Sequence, residues 1–371
     1  AGATDCLSVS NDASLLLPST AMTGIYRVFG RSEAQTGDQW GGTAGGVAIT
    51  ATADDTDVTV KLAAGCNNNP NNPNAGNCVA AGTGVTATAP GGTLSFKMGA
   101  GDVVQLLGDW GVSWDTPHAD LSGSLVNATR PVQVLSMSPL AYVPKGVAGK
   151  GYADHLEETV LPAEVLGTEY VVAPPSGPDG TNVGHLVRFY GNFDQTTLSY
   201  PDGKPGGAPD TLQAGDVAEI ETKQPFRVTA NEAFAVSSFM YGGEVQDPDA
   251  PSNGQRRGDP SVSMLVTPGQ FRTRYTFLAP RSYLASYADI LVPVDASVSL
   301  DGQALKSSAD DIGIVGWRLH RELLGEGNDG AHHLEADKPV GVQVMGYGHA
   351  TSYYYPGGLN LELISEPPVL K

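Results

Sequence analysis

The chain has 371 residues, with 47 Gly, 26 Pro, only 16% charged residues and a formal net charge of −19. That length gives room for two or three domains and a substantial core, and a turn-rich, charge-poor composition suits a β protein better than a helical one. The acidity excludes nucleic acid and anionic membrane surfaces as partners, and no run nears the roughly 20 apolar residues of a membrane-spanning helix, so membrane insertion is not expected.

The opening "AGATDCLSVS" reads as a mature end left after removal of a signal peptide, which places the chain outside the cell or on its outer surface. Cys6 is not the first residue, where a lipoprotein anchor would need it. "VAITATADDTDVTVKLA" from Val47 alternates apolar and polar residues around a polar turn at Asp54-Asp55, the pattern of two half-buried antiparallel strands. Cys66 and Cys78 then bracket "NNNPNNPNAGN", a loop with nothing to bury. A disulfide would close it and contribute on the order of 2–3 kcal/mol. Cys6 is the odd cysteine, free or joined to something outside this chain, and scattered cysteines without CxxC spacing argue against zinc. Trp110 and Trp114 are close enough to form a small sugar-stacking platform, or else a satellite core. Asn127-Ala128-Thr129 is a glycosylation acceptor where the source glycosylates.

Three stretches read as versions of one another: "ATRPVQVLSMSP" from Ala128, "ANEAFAVSSFMYGG" from Ala230 and "ADKPVGVQVMGYG" from Ala336. Each is preceded by a Pro-containing opening segment: "LLPSTAMTGIYRVFG" from Leu16, "LPAEVLGTEYVVAPP" from Leu161 and "TPGQFRTRYTFLAPR" from Thr267. A tyrosine (Tyr26, Tyr170, Tyr275) follows the proline at nearly constant distance, and "AGDV" at Ala100 and Ala214 reads as a tight turn launching a strand. A period of roughly 100 to 140 residues is too long for a solenoid and suits a small β-sandwich. The expected fold is all-β: three tandem related antiparallel β-sandwich-like modules with very little helix, over 1–144, 145–258 and 259–371. "LPAEVLG" from Leu161 and "GWRLHRELLGEG" from Gly316 are the two places where a turn or two of helix is expected.

Several groups carry chemistry. "DHLEE" gathers Asp154, His155, Glu157 and Glu158, which could hold a divalent cation, with calcium favoured by the oxygens, or could supply a structural His155–carboxylate pair at a module junction. No other cofactor is implied. Asp54, Asp55 and Asp57, and Asp310 with Asp311, are acidic enough for calcium, yet acidic turns are ordinary at this net charge. His332 and His333 with Glu335 hint at a metal, but adjacent strand residues point to opposite faces. "GEGNDG" from Gly325 matches GxGxxG without the strand-then-helix context of a dinucleotide site, and reads as a loop. Arg257-Gly258-Asp259 is a tripeptide read by animal integrins. There is no GxSxG, HExxH or P-loop, so no enzyme is expected; distant glycosidase carboxylates would leave no local mark.

"ADLSGSLVNATRPVQVLS" from Ala119, "DHLEETVLPAEVLGTEYVV" from Asp154, "GDPSVSMLVTPGQFRTRYTFLAP" from Gly258 and "SYYYPGG" from Ser352 together resemble the IgG-Fc-binding-protein N-terminal domain family, over roughly Leu16 to Leu363. That family is common in secreted proteins of predatory and gliding bacteria and heads a mucin-like animal protein. The family often places a Cys before "DHLEE"; Ala153 stands there, so that disulfide is absent and the Cys66–Cys78 loop is this chain's own. The resemblance implies a secreted or surface-displayed, non-catalytic module for adhesion or matrix building, without carrying over the immunoglobulin ligand. Two partner readings follow: self-association into a surface fibre, or a monomeric adhesin binding an extracellular glycan or protein. A secreted hydrolase is the remote third.

Overall fold

The computed structural model describes residues 11–32, 45–66, 76–109, 119–144, 152–251, 255–325 and 330–370. Nearly all regular secondary structure of the described residues is antiparallel strand. The first repeat comprises β1 (Ile25–Arg27), β2 (Gly46–Ala51), β3 (Thr56–Lys61), β4 (Thr93–Met98), β5 (Val103–Leu107), β6 (Leu125–Ala128), β7 (Val132–Ala141) and β8 (Asp154–Thr159). They form two sheets, ordered β1-β6-β3-β4 and β5-β2-β7-β8. The polar turn at Asp54-Asp55 therefore joins β2 and β3 of opposite sheets rather than a hairpin, with Asp55 at φ 54°.

The second repeat comprises β9 (Gly167–Val172), β10 (His185–Gly191), β11 (Thr196–Ser199), β12 (Thr211–Leu212), β13 (Val217–Thr222), β14 (Phe226–Met240) and β15 (Ser261–Met264). The third comprises β16 (Arg272–Ala279), β17 (Ala285–Pro293), β18 (Val298–Leu300), β19 (Gln303–Ala304), β20 (Trp317–Gly325), β21 (Gly330–Gly348) and β22 (Thr351–Pro356). Here one long strand replaces the β6–β7 pair. The first part of β14 pairs with β9 and β11 and its second part with β10 and β15. β21 does the same with β16 and β18, then β17 and β22. In the first repeat Pro131, which has no N–H to give the ladder, lies between β6 and β7. Strands β8 and β15 follow the expected borders at 144/145 and 258/259 and pair backwards, with β7 and β14.

The three tyrosines explain how each closing strand changes sheets. Tyr26 donates to Val132 O at 2.6 Å, Tyr170 to Phe234 O at 2.7 Å and Tyr275 to Val340 O at 2.5 Å. Each hydroxyl also accepts the N–H three residues before it, from Thr23, Gly167 and Arg272. One buried phenol thus pins the opening segment to the corner where the closing strand crosses over, three times at equivalent positions.

Helix is confined to α1 (Gly243–Gln246) and three 3-10 turns among the described residues. "LPAEVLG" supplies one of these, Ala163–Val165. "GWRLHRELLGEG" is a correction: it forms β20, paired along its length with β17. Leu319 is buried against that neighbour, and ladder bonds outweigh a weak local helical pattern.

The second and third repeats have cores around Phe189 and Phe226 and around Ile290 and Val342, while the core around Ile49 and Val60 runs on into Tyr190, Ala235 and Met264 of the second repeat. Two further clusters glue the repeats: Ala141, Val143 and Leu156 against Leu186 and Phe239, then Met240 against Tyr287, Met345 and Tyr354. The N-terminal segment covers the outer edge of β8, where Asp12 and Ser14 side chains accept the Glu157 and Thr159 N–H groups.

Candidate binding cleft

Where the second repeat sits on the first, the turn "AGDV" at Ala214 approaches the loop before β6. A Cβ on Gly123 would stand 2.1 Å from Gly215 O, and both glycines have positive φ (83° and 89°), so only glycine fits this contact. Beside it opens a cleft of about 390 Å³. Its floor is Arg27, held by Gly123 O at 2.8 Å and Asn192 O at 2.9 Å. Burial pushes the Arg27 guanidinium down to about 10, while the Asp194 charge opposes that shift. The walls are mostly apolar, with Leu62, Ala64, Leu125 and Phe193, and Lys61 at the rim. The C-terminal segment completes it. Asn360 and Ile364 N–H groups bond to Gln270 O and Glu164 O, and the chain then brings Pro368 and Val369 to the cleft. An apolar hollow with a few polar groups from two repeats and a strap is the usual form of a recognition site.

The same junction holds a buried ionic network. Arg188 bonds to Glu219 and Asp120, each at 2.7 Å, and to Gly30 O at 2.6 Å. Burial pushes the Asp120 and Glu219 carboxyls up, but the Arg188 charge together with hydrogen bonds from Arg188, and with Ser122 at Asp120 and Arg31 at Glu219, more than offsets this, and both lie below their ordinary values.

The residues singled out from sequence are dispersed. The Cys66–Cys78 disulfide is formed. Trp110 and Trp114 lie outside the described residues, as do Cys6, most of the Asn-rich loop and the centre of "GEGNDG". In β8 the alternation buries Asp154 and Glu158 and turns Glu157 outward, so the "DHLEE" carboxylates do not face one point. His155 Nδ1 lies 3.1 Å from Asp154 Oδ1, the pairing that accounts for this histidine. Among the described residues no group of three or more His, Cys, Asp or Glu side chains is arranged to hold a metal ion. His332 is buried, stacked on Phe277 and bonded to Asp301, while His333 on the other face bonds to Thr276. The Arg-Gly-Asp tripeptide is not displayed: Arg257 bridges Asp179 and Asp247, and Asp259 is buried.

His185 Nδ1 meets Ser238 Oγ at 2.7 Å, a nucleophile–base spacing, but both are fully buried. Burial, helped by the Arg321 charge, pushes that imidazole down to about 3, so the pair is a packing feature closed to substrate. Sequence reasoning missed the cleft itself. Arg27, Asn192 and Phe193 carry no motif, and "AGDV" was the one local mark of it.

The fold is that of a multi-sheet all-β protein. The family model described as IgGFc binding protein matches residues 12–346, and the chain belongs to that family. A human protein named IgGFc-binding protein is 33% identical over 168 residues, 44% of this chain and 3% of that protein. The chain thus spans only a small part of the length of that relative. No solved structure matches the chain significantly.

Proposed function

We propose that this chain is a non-catalytic extracellular binding protein acting in adhesion or matrix building, and that the cleft between the first and second repeats takes part of a protein or glycan partner. The observation that carries this is the cleft: mostly apolar walls, a buried cation, Lys61 and Asp194 among the polar lining, and a chain strap. Family membership and the disulfide support an extracellular site reached after signal-peptide removal. The human relative's name makes the immunoglobulin Fc fragment a natural first probe, with an immobilised glycan panel as the second. Binding of either should saturate and should weaken at least tenfold in Ala64→Trp, which fills the cleft, and in Lys61→Glu. No binding to either probe, or binding that both variants leave intact, would overturn the cleft assignment.

A second reading is self-assembly into a surface fibre. It is favoured by the outer face of the β5-β2-β7-β8 sheet, where Val103 and Leu107 are 57% and 45% exposed.

A further inference from the structure

In every repeat the strands beside β7, or beside the second part of β14 or β21, have an outer face built on the same register. In the second repeat its centre is Arg188, paired across strands with Glu219 and Ser237. In the third it is Asp289, paired with Arg321 and Gln343. In the first it is Ala48, paired with Gln105 and Leu135. Leu135, Ser237 and Gln343 each lie three residues after the carbonyl capped by the corner tyrosine, so the alignment is fixed by structure.

Two of these faces are already seated, and on the same feature. Arg188 donates to Gly30 O, four residues after Tyr26, and Tyr190 donates to the same carbonyl. Arg321 donates to Pro174 O, four residues after Tyr170, while Ser176 N–H bonds to Asp289 and Tyr287 donates to Pro178 O. Each outer face therefore docks on the segment that follows the corner tyrosine of the repeat before it.

The first repeat's face carries the same array without its charges. Val103 and Leu107 are exposed, Ala48, Leu135 and Met137 are half-buried, and no charged side chain stands on this face of β5, β2 and β7. At the other end, the segment after Tyr275 presents Leu278 and Leu284, 55% and 43% exposed. In a chain of net charge −19, the β5-β2-β7 part of this face, beside which β8 turns Glu157 outward opposite Met137, and a segment carrying two exposed leucines and the exposed Arg281 can meet with little opposition between carboxylates.

We propose that the outer face of the first repeat docks the Leu278–Leu284 segment of a second copy of this chain, repeating between molecules the junction made twice within one. The contact joins two different surfaces, so it is head-to-tail and extends into a chain of subunits unless the rotation happens to close a ring. This rests on the self-assembly reading and is independent of the cleft.

The test is the mass of the 371-residue protein in solution at rising concentration, in low salt and at about 0.5 M salt, where repulsion between acidic copies is screened. Assembly that grows with concentration and salt is expected. Leu107→Asp and Leu284→Asp, both at exposed sites, should each leave monomers with an unchanged melting temperature. Their mixture should form dimers and stop, because each variant keeps the one surface the other has lost. A monomer under every condition, assembly that both variants leave intact, or failure of the two variants to complement would overturn the proposal. Fc and glycan binding measured on the same variants separates the outcomes: binding retained while assembly is lost leaves the cleft assignment standing, whatever the fate of this contact.

Discussion

Arg188 Nη1 lies 2.7 Å from Asp120 Oδ2, an ion pair that ties the second repeat to the first. One repeat later the equivalent position is Asp289, and its cross-strand partner is Arg321 where the second repeat has Glu219. The charges are exchanged, yet in both repeats an arginine reaches the same backbone carbonyl of the repeat before.

Arg188→Met should destabilise the protein by about 3 kcal/mol, because Asp120 loses its counter-charge and Glu219 is left with Arg31 alone in a mostly buried site. Exchanging the pair as Arg188→Glu with Glu219→Arg should not restore stability. It would aim a carboxylate at Gly30 O, which needs a donor. Chemical denaturation of the three proteins checks this, and recovery in the double variant would contradict it.

The pH profile should have its maximum on the acid side of neutrality. Burial pushes Glu158 and Asp259 well above their ordinary values, aided by the charges of Asp12 and Asp154 respectively. Their folded forms bind protons that the unfolded chain releases, so stability rises as pH falls from their folded values toward about 4. Asp120 and Glu219 act with the opposite sign. Their stabilisation is present above the unfolded values and is lost as pH falls through their lower folded values. The melting temperature should climb as pH falls through the raised folded values of Glu158 and Asp259 and drop in stronger acid. Glu158→Gln should flatten the climb; a flat profile in the parent chain would refute the assignment.

Tyr26→Phe, Tyr170→Phe and Tyr275→Phe should each cost about 1–3 kcal/mol, since each leaves a buried carbonyl without its donor. Three similar losses, read by thermal melts, would mark one device used three times. A neutral result at any one site would show that its strand corner is held by other contacts.

Reducing the Cys66–Cys78 bond should cost about 3 kcal/mol by the chain-entropy estimate for a loop of this size. Both ends are anchored, with Cys66 O accepting Asp120 N–H and Cys78 O accepting Asp109 N–H. Comparing melts with and without reductant, with Cys66→Ser/Cys78→Ser as control, measures it. An unchanged melt would mean that these anchors hold the loop ends without the bond.

Sequence by itself determined what depends on neighbours along the chain. Alternation marked β2 and β3, the Gly-Asp turns marked the starts of β5 and β13, and two cysteines around a loop with nothing to bury marked their own bond. The repeated Pro-to-Tyr spacing marked the opening segments, though not that each phenol would cap a carbonyl 64 to 106 residues away. The tertiary structure decided the rest. β20 became a strand because β17 offered it a ladder. The "DHLEE" carboxylates parted because a strand alternates its faces. The cleft exists only because Gly215 can rest on Gly123, a contact between residues 92 positions apart. Local pattern fixes which backbone is favoured at each position, whereas sites are made by side chains that meet only after sheets pack, and such meetings leave no spacing in the sequence to read.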